Sequence, residues 1–173
     1  MFHISADNLH WIDGTEDDID DLCLHGHATV QIGDEIFEFD DATVSATGLY
    51  LLKSLTRDHI IGKEIQMLPC CGYNIYANET MDEVDIWGCD YGIDWTVLHS
   101  GRIIELITMS GRHTFLPLAI YQNEVWQFAD KIEAFYRRCS DKILPWDQTD
   151  RDGYLTFWKE WHRRRGQHNL AQI

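Results

Sequence analysis

Neither lysine nor arginine occurs in the first 52 residues, which carry 12 carboxylates; the first basic side chain is Lys53. From Lys53 onward the chain holds 17 acids against 14 bases, so −12 of the formal net charge of −15 sits in less than a third of the 173 residues. A field of that sign repels phosphate backbones and anionic lipid, which excludes nucleic acid and the acidic membrane face as partners. No apolar run reaches the about 18 residues that a membrane-spanning helix requires. Met1 to Trp11 has neither the basic region nor the apolar centre of a secretory leader, so the expected location is the cytoplasm. There is no Cys-x-x-Cys pair among Cys23, Cys70, Cys71, Cys89 and Cys139. Their odd number and irregular spacing fit reduced thiols rather than a disulfide framework. Also missing are a Gly-x-Ser-x-Gly elbow, a phosphate-cradling glycine loop, a dinucleotide fingerprint and a His-Glu-x-x-His helix. No low-complexity segment or proline-rich linker divides the chain, and a single domain over 1–173 is expected.

What is present reads as an α+β fold. Ala28 to Ile32 and Glu35 to Phe39 are β-prone runs, and Gly33-Asp34 between them suits a tight hairpin turn. Val44, Gly48, Leu51, Leu52 and Leu55 recur at helical spacing, which predicts a helix near 42–57 capped by Asp40 or Asp41. Glu64 to Leu68 reads as a short strand broken by Pro69. Further on, Glu83 to Cys89, Ile93 to His99, Arg102 to Thr108 and Arg112 to Leu116 read as an antiparallel meander. Its last two turns are Ser-Gly, where glycine supplies the backbone angles a hairpin needs. Two helices close the chain. Val125, Phe128, Ala129, Ile132, Phe135 and Tyr136 form one apolar stripe, with Asn123 as a candidate cap. Tyr154, Phe157, Trp158 and Trp161 form the other, starting after Asp150 or Asp152 and ending in Arg163, Arg164 and Arg165, where cations complement a helix C-terminus. Strands followed by terminal helices, without βαβ alternation, define the class; both helices are expected to pack on one face of the sheet.

Several constellations bear on chemistry. Cys23-x-His25-x-His27 places a thiol and two imidazoles on one face of an extended strand, a possible start for zinc, although a structural zinc takes four ligands and no fourth is evident. Cys70-Cys71 reads as a pair of small inert thiols before it reads as a redox centre. Asp90 and Asp94 flank a turn, where aspartate is at home without acid–base duty. The acidic run of residues 13–21 lacks the alternating ligands and central glycine of a calcium loop. No cofactor, metal or catalytic residue is assigned.

Phe128-Ala129-Asp130-Lys131-Ile132-Glu133-Ala134-Phe135-Tyr136, Asp152-Gly153-Tyr154 and Phe157 to Arg165 together resemble the C-terminal tail of immunity proteins encoded beside bacterial polymorphic toxins of the Rhs and contact-dependent inhibition systems. The resemblance covers roughly the last 50 residues. It implies a cytosolic, non-enzymatic protein that binds one toxin C-terminal domain and covers its active site. No binding residue transfers position by position.

The charge asymmetry leads to a compatible expectation by a separate route. A wholly anionic segment competes for the cationic cleft of an enzyme that handles phosphates, and it speeds association. The candidate partner-binding residues are Asp13, Glu16, Asp17, Asp18, Asp20 and Asp21, joined by Glu35 and Glu38 on the hairpin. Trp11 is the candidate aromatic anchor, since tryptophan is favoured at hot spots. The alternatives are a small metal- or Cys/His-dependent enzyme and a non-catalytic adaptor. The bland reading of the acidic segment is a solvated face.

Overall fold

Alternating burial runs through the two leading strands of the computed structural model, which describes residues 1–166. In β1 (Phe2–His10) the side chains of Phe2, Ile4 and Ala6 point inward, and in β2 (His25–Ile32) those of Ala28, Val30 and Ile32 do. The Gly33-Asp34 turn, with Gly33 at φ +62°, leads into β3 (Glu35–Thr43). The three form an antiparallel sheet in the order β1-β2-β3, as the hairpin signal predicts.

β3 runs directly into α1 (Val44–Lys53), whose ten residues are all buried. Periodicity predicts one buried stripe; complete burial follows because β2, the Leu68–Pro69 strand and two later helices pack around α1. Thr43 occupies the cap position without a side-chain cap bond. Asp40 and Asp41 do not cap the helix. They lie in a bulge between the Phe39 and Ala42 pairings, with Asp41 at φ +61°, and engage His27 and His10 instead.

The middle of the chain is less regular than a single meander. β4 (Leu68–Pro69) pairs with β7 (Gly92–Ile93), β5 (Asn74–Ala77) pairs with β6 (Val84–Trp87), and only β8 (Trp95–Ser100), β9 (Ile103–Thr108) and β10 (His113–Pro117) meander. After β6 the chain turns onto the Cys70–Gly72 segment, so closely that a Cβ on Gly88 would lie 2.1 Å from the Cys71 carbonyl oxygen. Pro69 sits within the two-residue β4 rather than ending a strand over 64–68.

α2 (Leu118–Arg138) follows β10 at Pro117, earlier than the Asn123 cap would allow. α3 (Gln148–Arg165) is capped by Asp147, which accepts from the Thr149 and Asp150 amides, and ends at Gly166 with φ +81°. The stripe residues Val125, Phe128, Ala129, Ile132, Phe135, Tyr154, Phe157 and Trp161 are buried. Both helices flank α1; α2 also reaches β1 and β10, and α3 reaches β5 and β6. The class is α+β. Among the described residues no helix is long and apolar enough to cross a membrane.

Candidate protein-binding surface

The acidic loop between β1 and β2 is built by its own carboxylates. Asp13 accepts from the Thr15 amide at 2.8 Å and hydroxyl at 2.6 Å. Asp18 accepts from the Asp20 amide at 2.8 Å and the Asp21 amide at 3.2 Å. Asp21 spans the loop base, taking the Ile12 amide on one oxygen (2.7 Å) and the Cys23 amide on the other (2.9 Å). Loop amides have no ladder to join, so short aspartates satisfy them.

A second segment is fastened along the loop. Asp17 accepts from the Ser140 hydroxyl at 2.7 Å and the Ser140 amide at 3.1 Å, and these bonds hold its carboxyl below the ordinary range. The Ile143 amide donates to the Ile19 carbonyl at 2.8 Å, and the Lys142 ammonium reaches the Asp18 carbonyl. The strap that links α2 to α3 therefore lies beside the acidic loop, over 120 residues away in sequence.

Trp11 is not a surface anchor. It is fully buried, edge-on to Phe135 and Tyr136 at 5.7 and 5.1 Å, with the Lys142 ammonium 3.1 Å above its ring. An apolar stripe of α2 faces the loop and draws the indole in.

The proposed acids also do not form one patch. Glu35 begins β3, at the sheet end opposite the loop, about 23 Å away by the rise of a seven-residue step along a strand. There it accepts from the Thr108 hydroxyl at 2.6 Å and the Ser110 hydroxyl at 2.8 Å, which joins the first sheet to the meander and lowers its pKa. Glu38 is exposed and pairs across from Thr29, on the outward face that also carries His27. Asp13, Glu16, Asp17 and Asp20 are exposed, and Asp18 and Asp21 half-buried, on the loop itself.

What the sequence reading missed is the apolar partner of that acidic loop. Trp146 is 92% exposed, on the same strap as exposed Ile143 and Leu144, and Ile12 and Ile19 protrude from the loop. Arg151 of α3 holds the strap by donating to the Pro145 and Trp146 carbonyls at 3.3 and 3.4 Å. Between strap, loop and α3 opens a shallow cleft of about 260 Å³, lined by Asp20, Asp21, Tyr73, Pro145, Asp150 and Tyr154. Exposed aliphatic and aromatic side chains rimmed by carboxylates are the composition of a protein-docking surface. The signal was legible as Ile143-Leu144-Pro145-Trp146, an apolar run in a segment that must be a loop.

The candidate chemical centres separate into three cases. Cys23, His25 and His27 do not converge. The Cys23 thiol is buried against the Gly72 carbonyl, and burial pushes it up to about 12, whereas His27 faces outward onto Asp40 at 2.7 Å. Asp94 is buried, apart in role from exposed Asp90; it accepts from the Met67 and Trp95 amides and pairs with His59 at 2.8 Å, which pins the chain after α1 to β8. Cys70, Cys71 and Cys89, by contrast, do come together: their sulfurs all lie within 4.8 Å of one another. Burial pushes the Cys70 and Cys71 thiols up, and hydrogen bonding with Cys71 holds Cys89 below the ordinary thiol value.

Comparison with family models, with curated proteins and with solved structures yields no match to this chain.

Proposed function

We propose that the protein is a non-catalytic inhibitor that binds a basic toxin domain, as an immunity protein does, through the surface formed by the acidic loop and the strap. The observation that carries this reading is Trp146, 92% exposed on a strap that also bears exposed Ile143 and Leu144 and is hydrogen-bonded along the acidic loop through Ser140 and Ile143. An isolated apolar side chain on a surface needs no explanation. A tryptophan with aliphatic neighbours and an acidic rim matches a hot spot that displaces water while the rim selects the partner's sign. The toxin as partner rests on the resemblance of the C-terminal segment to immunity proteins, and the −12 charge of the first 52 residues favours a cationic target.

The hydrogen-bonded loop strengthens the reading, because a surface ordered before contact loses little entropy on binding. The test is co-expression with the C-terminal toxin domain encoded beside its gene, followed by co-purification and rapid-mixing kinetics. Association is expected to slow about tenfold from low to physiological salt, as electrostatic steering is screened. Glu16→Gln with Asp20→Asn should remove much of that salt dependence, since neither carboxylate supports the loop. A complex that forms at one rate at every salt concentration, and tolerates Trp146→Ala, would refute the proposal.

A further inference from the structure

We propose that Cys70, Cys71 and Cys89 form a binding site for a thiophilic d10 cation, Zn²⁺ or Cu⁺, held by three thiolates. The proposal stands independently of the docking surface. Among the described residues this is the one place where three metal-ligating side chains converge. Two elements build it. Cys70 and Cys71 leave β4 in succession, and Cys89 arrives on the chain that leaves β6. The Cys89 amide donates to the Cys71 sulfur at 2.9 Å, and the Cys70 amide donates to the Tyr91 carbonyl at 3.0 Å. The tight approach of Gly88 to the Cys71 carbonyl locks the two chains in this register.

The spacing suits an ion. With metal–sulfur bonds of about 2.3 Å, ligand sulfurs stand about 3.8 Å apart in a tetrahedral site and about 4.0 Å apart in a trigonal one. The three sulfurs lie within 4.8 Å of one another, no more than about 1 Å beyond either spacing. All three thiols are free, and Cys89 is exposed, so an ion has an entry path. Thiolate ligands select zinc and cuprous copper over magnesium or calcium. Binding releases one proton to solvent from each thiol that ligates. Zn²⁺ would complete four-coordination with water on the exposed side, whereas Cu⁺ needs only the three sulfurs. Nothing is oxidised or reduced in the step.

The experiment uses the full chain, reduced and metal-free under anaerobic conditions, titrated separately with Zn²⁺, Cd²⁺ as an optical stand-in for zinc, and Cu⁺. One equivalent is expected, with thiolate-to-metal charge-transfer absorption for Cd²⁺ or Cu⁺. Saturation by Zn²⁺ and Cd²⁺ assigns zinc; saturation by Cu⁺ alone assigns copper. Cys89→Ser, at an exposed position, should abolish the absorption, and Cys139→Ser should leave it unchanged. Alkylation mapped by peptide mass in the wild-type chain gives a second readout: metal should protect Cys70, Cys71 and Cys89 and leave Cys139 reactive. Failure of the reduced chain to take up any of the three ions, wild-type uptake by Cys89→Ser, or equal alkylation with and without metal would overturn the proposal.

Discussion

Lys53 and Glu160 face each other at 3.4 Å in the interior, with side chains 1% and 0% exposed. The lysine ends α1 and the glutamate lies in the C-terminal half of α3. Burial pushes the Lys53 pKa down, against the pull of Glu160. Glu160 also accepts from the Val84 amide at 2.8 Å and from Arg164 at 2.6 Å, and Lys53 donates to the Val84 carbonyl. Glu160 is the hub. Glu160→Ala strands a buried ammonium and a buried amide, and should cost about 3–5 kcal/mol in urea unfolding. Lys53→Met leaves Glu160 with two partners and should cost about 1–3 kcal/mol, the penalty of an unpaired carbonyl. Equal losses in the two variants would contradict this ranking.

Glu133 supplies a pH dependence. It is 3% exposed and touches Trp161 Nε1 at 3.2 Å, His162 Nε2 at 3.3 Å and the Arg137 guanidinium. Burial raises its pKa, but the adjacent His162 imidazole, the charge of Arg137 and the Trp161 N–H outweigh it, and the carboxyl is held below the ordinary glutamate range. The unfolded chain therefore binds a proton at higher pH than the folded one. The stabilisation is complete above the ordinary glutamate range and is lost as pH falls through the lower folded value. Urea midpoints measured from neutral pH down to 3 should fall more steeply for the wild type than for Glu133→Gln. Parallel curves would remove Glu133 from the account.

Gly48 looks like a weak point in α1, because alanine is about 1 kcal/mol better inside a helix. Its place in the fold reverses that expectation. A Cβ at this position would meet the Trp161 ring at 2.4 and 2.7 Å. Gly48→Ala should destabilise by about 1–3 kcal/mol through overpacking, and Trp161→Leu in the same chain should recover part of the loss. Thermal melts of the two single variants and the pair would decide it; a Gly48→Ala protein that melts higher than wild type would be inconsistent with this packing.

Two tryptophans should behave oppositely. Trp11→Ala should cost about 3–5 kcal/mol of stability, as for other buried aromatics. Trp146→Ala should leave the melting temperature unchanged and, if the proposed docking surface holds, weaken binding of the proposed toxin domain by about 2 kcal/mol or more. Calorimetry on both variants, with and without the toxin domain, reads both effects.

Local patterns were enough to foresee the β2–β3 hairpin, α1 and the apolar stripes of α2 and α3. Each rests on contacts a few residues apart or on a helical period. The β4–β7 and β5–β6 pairings were hidden, because strands of two to four residues show no usable alternation. Trp11 was misjudged for a related reason. It was read as a surface anchor because tryptophan is favoured at hot spots, but burial is decided by Phe135 and Lys142, which are remote in the chain. The loop acids were legible as charge; that they cap their own backbone, and that the strap carrying Trp146 is fastened along them through Ser140 and Ile143, emerged only from the tertiary arrangement.

The complete enclosure of α1 has a consequence for biosynthesis. A helix with no wet side keeps most of its surface uncovered until the elements encoded after it have left the ribosome, since β2 alone of the elements packed around it is made before it. Glu160 and Trp161, which close its last flank, are made over a hundred residues later than Val44. The nascent chain must therefore carry a bare, adhesive rod through most of its translation, and a product stopped before α3 would be a substrate for chaperones rather than a smaller working protein.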